Sequence, residues 1–537
     1  MKLSRDGIKE RAAWEKAGIG LPAYDCGNVA ERTKQEPIWI HFGAGNIFRI
    51  FIGGIADHLL AAGEMEKGLT CAEIFDVDVI DKICQPYDNL VLVVTLKADG
   101  STKKQVIGSL TEALKARPDD AADWARLKEI FASPKLQMIS FTITEKGYAL
   151  RGADGRILPW IKTDIEKGPS YPGSAMAVIC ALLYVRYQAG ALPLAVVSMD
   201  NCSHNGEKLR NSILTMAKEW AAREFLSQGF LAYLEDEKTV SFPWSMIDKI
   251  TPRPAQRVCR ELEAVGVEAM QPVITGKSTY IAPFVNAEEP QYLVIEDRFP
   301  NGRPPLEKAG VYMTDRDTVE KVERMKVSTC LNPLHTALAV YGCLLGYDLI
   351  ADEMRSPVLA ELVYQIGLVE GMPVVTDPRI LSPQDFVDEV ISVRIPNPFI
   401  PDTPQRIATD TSQKVGIRYG ETIKAYAACY GDAKKLTAIP LAIAGWFRYL
   451  LGVDDRGNTF SLSPDPMLSE LTKAMEGIIA GKPKTYHGQL KPILSNADIF
   501  GTDLYAVGLG EKIEAMFLEE ISGCGKVEET LKKYLRV

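Results

Sequence analysis

Lys326, Asn332 and His335 share one short segment, Lys326-Val-Ser-Thr-Cys-Leu-Asn332-Pro-Leu-His335. An amine, an amide and an imidazole so close together suit reversible proton transfer at an alcohol or ketone. The amine exchanges the hydroxyl proton, and amide N–H groups steady the developing oxyanion. Asn332 and His335 are three apart and share a face if the segment is helical. Lys326 lies six before Asn332, a poor helical spacing, so the chain is expected to bend or to start its helix between them. The same residues also fit a plain helix start, with Asn332-Pro333 as a capping turn and His335 satisfied in the core. The rest of the chain has to decide.

The elements that must position this segment begin with Pro37-Ile-Trp-Ile-His-Phe-Gly43-Ala-Gly45-Asn-Ile-Phe-Arg49, followed by an apolar helical run to Ala62. Strand, glycine turn and helix in succession form the setting in which a first glycine permits the turn and a second lets backbone approach a pyrophosphate. Phe48 stands where a third glycine is usual, so the fingerprint is partial. A second strand is expected to run from Leu69 to Phe75 and end near Asp76. A carboxylate there, Asp76 first and Glu73 second, binds both ribose hydroxyls of NAD and repels the 2′-phosphate of NADP. Two further apolar strands end in polar groups: Thr144 and Glu145 after one, Asn201 and Asn205 after the other. In an open α/β sheet such carboxyl ends face the ligand crevice. The asparagines also fit an Asx-turn and a helix cap. Asn89–Leu96 and Lys103–Leu110 read as a hairpin, and the proline-rich stretch 241–254 as an irregular loop.

Beyond about residue 315 the pattern turns to long helical segments. The expected fold is therefore α/β, with a Rossmann-like dinucleotide-binding domain carrying extra strands over 1–315 and a mainly α-helical domain over 316–537. Such a length exceeds one core. The composition, 46% hydrophobic and 24% charged, is that of a globular protein. A formal net charge of −9 argues against nucleic acid as the main partner. Ten cysteines without a CxxC pair read as reduced thiols in a cytoplasmic protein, and five scattered histidines give no metal site. The charged N-terminus reads as no export signal. The apolar runs 176–197 and 436–453 carry arginines and read as buried segments rather than membrane spans.

Taken together, GAGNIFR (43–49), TITEKGY (142–148), SMDNCSHNG (198–206), IDKITP (247–252), EDRFPNGRPPLEKAGV (296–311) and the Lys326–His335 segment resemble the long-chain mannitol dehydrogenase family over nearly the whole chain. That family includes mannitol 2-dehydrogenase and the fructuronate and tagaturonate reductases. The resemblance implies a metal-free, NAD(P)-dependent secondary-alcohol dehydrogenase acting on a small polyol or sugar acid; Asp76 favours NAD as the cofactor, and a monomer or small homo-oligomer is expected. It implies Lys326 as general acid/base, Asn201 and Asn332 on the oxyanion, and His335 and Asp248 positioning substrate, with Glu323 beside the lysine. Cofactor contacts are expected from Gly43, Gly45, Asn46, Phe48, Arg49, Asp76, Thr144 and Glu145. Substrate contacts are expected from Arg406, Lys414 and Asn205. The family commonly sets its lysine five residues before the asparagine, whereas here the count is six. TITEKGY and CLNPLHTALAV look closer to the uronate reductases, which favours fructuronate and mannonate as the reacting pair. Mannitol or tagaturonate chemistry is the alternative, and a nucleotide-binding sensor without turnover the rival of another class.

Overall fold

Six short strands make the sheet on which the first part of the chain is built. β1 (Trp39–Phe42), β2 (Leu69–Glu73), β3 (Leu110–Lys115), β4 (Met138–Phe141), β5 (Leu194–Ser198) and β6 (Val240–Ser241) pair in the order β3-β2-β1-β4-β5-β6, all parallel. Every residue of β1, β2, β4 and β5 is buried, as befits a parallel sheet covered on both faces. This strand order is that of the dinucleotide-binding α/β fold, whose direction of growth reverses between β1 and β4. The structure is a computed structural model and describes residues 1–152 and 154–537.

Three helices matter for the site. α1 (Gly53–Ala61) continues a wide π-helical turn, Phe48–Ile52, that follows the glycines. α2 (Ala175–Gln188), apolar enough to raise the question of a membrane span, buries Met176 to Leu183 in the core with Phe131, Leu136 and Ile139. Its Arg186 is buried too. The guanidinium donates to the backbone carbonyls of Phe131, Ser133, Leu136, Leu192 and Pro193, which satisfies the charge where no water reaches. α3 (Asn205–Ala221) follows β5.

The expected hairpin forms, with Val91–Leu96 antiparallel to Thr102–Ile107. It joins Ile19–Gly20 and Phe284–Glu288 in a separate four-stranded sheet, while Leu110 opens β3 instead. The stretch 241–254 is more regular than its prolines suggested. Pro243, Pro252 and Pro254 flank Ser245–Asp248, which pairs antiparallel with Tyr292–Glu296.

The chain divides into two compact units, Met1–Glu320 and Lys321–Val537, and the division falls inside α4 (Arg316–Met325). The second unit is helical. α5 (Asn332–Leu345) and the helix Ala438–Tyr449 are buried over most of their lengths. They approach closely because Gly445 leaves room for Tyr341, whose ring atoms lie 2.5 Å from where a Cβ would stand. The Tyr341 hydroxyl lies 2.7 Å from both Leu441 O and Glu520 Oε1, bridging the two.

Between α4 and α5 the chain makes one π-helical turn, Lys326–Cys330, in which Leu331 N donates to Lys326 O at 3.1 Å. Single π-turns widen the helix by one residue and occur often at functional sites. The six-residue spacing from Lys326 to Asn332 is taken up by this turn and by Leu331, a non-helical bend (φ −129°, ψ −60°) after which α5 starts at Asn332, as the spacing predicted.

Candidate active site

In the first unit the glycine turn is built to receive something. Gly43 has φ +106°, and a Cβ there would lie 2.4 Å from Thr142 O, so only glycine fits. A Cβ on Gly45 would meet nothing within 4 Å. That leaves open space before the N-terminus of the following helix, whose unpaired N–H groups favour an anion. The residues present therefore fit a dinucleotide's pyrophosphate.

The turn is held from β2. Glu73 ends that strand, and its Oε2 accepts from Ala44 N at 2.7 Å, while Oε1 accepts from Phe75 N and Asp76 N at 2.9 and 3.1 Å. Asp76 lies three residues beyond the strand, and its Oδ2 accepts from Thr275 Oγ1 at 2.6 Å. The strand ends earlier than its sequence suggested, and the carboxylate beside the glycine turn is Glu73. Two other expected cofactor contacts are corrected. Phe48 is fully buried and stacks on His41, ring centroids 4.2 Å apart. Arg49 is buried, its Nη2 donating to Pro283 O at 3.2 Å and its Nη1 to Asn46 Oδ1 at 3.4 Å. Burial lowers its pKa to about 10. Both side chains point into the core and cannot touch a ligand over the turn.

At the carboxyl end of β4, Thr144 holds φ +66° and ψ 159°, a conformation that side chains seldom adopt. Asp200, just past β5, enforces it: Oδ1 accepts from Thr144 N at 2.8 Å, and Oδ2 from Ile143 N at 3.0 Å and from the Tyr148 hydroxyl. Glu145 is paired with Lys208 at the surface. Asn201 is exposed in the loop after β5. Asn205 is not available to a substrate. Its buried Nδ2 donates to Asp200 O, Ser245 O and Ser245 Oγ, and its Oδ1 accepts from Ser245 N. It fastens the end of β5 to the neighbouring strand. Asp248 is buried at the end of Ser245–Asp248.

In the second unit Lys326 is buried at the head of the π-turn. Asn332 opens α5, followed by proline at the position where a missing N–H costs nothing. The Asn332 side chain has no hydrogen-bond partner among the described residues. Glu323 is half-buried on α4, one turn before Lys326. His335 Nε2 lies 3.6 Å from Asp402 Oδ2, and the other oxygen of Asp402 takes the Arg406 guanidinium. Burial pushes the His335 imidazole down to about 4. The Asp402 charge opposes this, and the charges of Arg418, Arg406 and Arg394 add to it. Lys414 donates to Thr409 O, and burial followed by Arg418 lowers its pKa. Arg418 Nη1 donates to Thr336 Oγ1, and Thr336 Oγ1 donates to Asn332 O at 2.9 Å.

The structure thus brings Asn332, His335, Arg406 and Lys414 into one electrostatic neighbourhood. Glu73 was the second choice in the sequence, whereas Asp200, Arg394 and Arg418 were missed. A clue existed for Arg418, which follows Lys414 by four residues, the spacing of neighbours on a helix face.

A parallel sheet of this order with its glycine turn, and a helical unit presenting amine, amide and imidazole, define a Rossmann-type dehydrogenase. The chain belongs to the mannitol dehydrogenase family: the mannitol dehydrogenase Rossmann domain matches residues 37–308 and the mannitol dehydrogenase C-terminal domain residues 318–518. It is 52% identical over 536 residues to a D-mannonate oxidoreductase of Thermotoga maritima, covering 99% of each chain. It is 29% identical to a D-mannonate oxidoreductase of Escherichia coli, covering 90% of this chain and 92% of that one. Among solved structures it is similar to Pseudomonas fluorescens mannitol 2-dehydrogenase in ternary complex with NAD and D-mannitol, with a TM-score of 0.72, 26% identity and full coverage of both chains.

Proposed function

We propose that this protein interconverts D-fructuronate and D-mannonate with NAD. The observation that carries the sugar acid over the polyol is the company His335 keeps: three arginines act on it against one nearby carboxylate. An acidic protein with a formal net charge of −9 repels anions in general, so an anionic substrate requires such a local excess of cations. The similarity to D-mannonate oxidoreductases supports the same choice.

Gly45 and the first turn of the helix after it would face the pyrophosphate, with Gly43 setting the turn, and Glu73 would stand beside the adenosine ribose. Bound NAD supplies hydride exchange at the carbinol carbon. The chain's own residues manage the oxygen and its proton. Lys326 takes the hydroxyl proton in oxidation and returns it in reduction. The unpartnered Asn332 amide donates to the oxygen as negative charge grows on it. His335 is neutral at pH 7, and Asp402 favours a proton on its Nε2, which leaves Nδ1 to accept from a substrate hydroxyl. Glu323, one turn before Lys326, would serve as a positioning group, and Asp248 and Asn201 keep the positioning and amide-donor roles that the family resemblance implies.

The test is a panel of fructuronate, tagaturonate and fructose with NADH and NADPH. Fructuronate with NADH should give the highest kcat/KM. Faster reduction of fructose would make the protein a polyol dehydrogenase, and cofactor binding without turnover on any of the three would make it a sensor.

A further inference from the structure

Arg418 is a guanidinium without a counter-ion. It is half-buried, which lowers its pKa to about 10, yet no carboxylate lies within ion-pair distance of it among the described residues. Its side chain's hydrogen bond goes to one hydroxyl, that of Thr336, which leaves most of its five donors unused. Taking a charged group out of water is costly unless an opposite charge meets it. The other cations nearby are better served. Arg406 is paired with Asp402 and its side chain is 62% exposed. Arg394 is buried and already engaged. Lys414 is bonded to a carbonyl.

The position is as telling as the missing partner. Thr336 is the residue after His335, and its hydroxyl links the Arg418 guanidinium to the carbonyl of Asn332, the residue that faces the reacting oxygen in the proposed reaction. Arg418 therefore stands one hydroxyl away from the turn that carries Asn332 and His335. A sugar acid places its carboxylate several carbons from the reacting carbinol, so its anionic end needs a cation set a little apart from Lys326. A guanidinium offers two parallel N–H groups to a carboxylate and is the group best shaped for it.

We propose that Arg418 is the receptor for the substrate carboxylate and the residue that makes this enzyme select a sugar acid over a polyol, a reading that rests on the sugar-acid function above. Arg406 then holds Asp402, and through it His335, and Lys414 adds positive potential.

The experiment compares kcat/KM for fructuronate with that for fructose, both with NADH, in wild type, Arg418→Gln and Arg418→Lys. The fructuronate-to-fructose ratio should fall about ten- to a hundredfold in Arg418→Gln, mainly through KM, with partial recovery in Arg418→Lys. Arg406→Gln should lower the ratio less. If wild type prefers fructuronate and Arg418→Gln leaves the ratio unchanged, the assignment to Arg418 is overturned while the sugar-acid reading stands. If wild type prefers fructose, both fall. Should the variants not fold, wild type still decides. Phenylglyoxal should modify Arg418, as read by peptide mass mapping, and mannonate but not mannitol should protect it. An Arg418 that does not react, or that both ligands protect equally, overturns the proposal.

Discussion

Lys326 is the residue on which the chemistry turns, and its replacement is the sharpest single test. Lys326→Ala should lower turnover by on the order of 10²–10⁴, with NADH binding by fluorescence titration nearly unchanged, because proton transfer is what the amine contributes. Glu73 is the second test. Glu73→Gln keeps one acceptor oxygen for the backbone N–H groups that the two carboxylate oxygens now serve, and removes the negative charge beside the glycine turn. The preference for NADH over NADPH should narrow in that variant, whereas Asp76→Asn, altered at a residue tied to Thr275, should leave it in place. Residue types told much of this in advance, since lysine, asparagine and histidine in one segment announce proton chemistry. They did not tell direction. Phe48 and Arg49 sit in the expected motif and point into the core, and Asn205 spends its amide on backbone and on the Ser245 hydroxyl.

The elements were legible where their periods are strong. Continuous apolar runs marked β1, β4 and β5, and the change to long helical segments marked the second unit. Strand ends were less clear, because Phe75 prolongs an apolar run that the strand itself abandons at Glu73. The π-turn at Lys326–Cys330 has no sequence signature, since widening a helix by one residue changes no residue type. The Thr144 turn was invisible for a related reason: it is set by Asp200, fifty-six residues later in the chain. Two outcomes test that pairing. Thr144→Gly should raise the melting temperature slightly, by relieving a backbone conformation that costs about 1 kcal/mol or more in other residues. Asp200→Ala should cost at least about 1–3 kcal/mol in urea unfolding, since it leaves the Ile143 and Thr144 N–H groups without their acceptor and the Tyr148 hydroxyl with Ser198 Oγ alone.

At the scale of the whole molecule, buried titratable groups set how stability follows pH. Burial raises Glu520 to about 8, against 4.5 when exposed. A carboxyl raised in this way contributes stability below about pH 4.5, and that contribution is lost as pH climbs to about 8. His335 works from the other side. Lowered to about 4 from 6.5, it contributes above about pH 6.5 and loses that contribution as pH falls toward 4. Glu520→Gln, which keeps an acceptor for the Tyr341 hydroxyl, should therefore stabilise the protein at pH 8.5 and change little at pH 4.5, as read by urea unfolding. The arginines near His335 also tie ligand binding to solvent protons. An anion placed among them weakens the field that helps hold the imidazole unprotonated, so its affinity for a proton rises on binding. Titrating mannonate into the enzyme at pH 5 should thus draw protons from the medium, and the calorimetric heat should differ between buffers of different ionisation enthalpy. Mannitol, which brings no charge, should give the same heat in both.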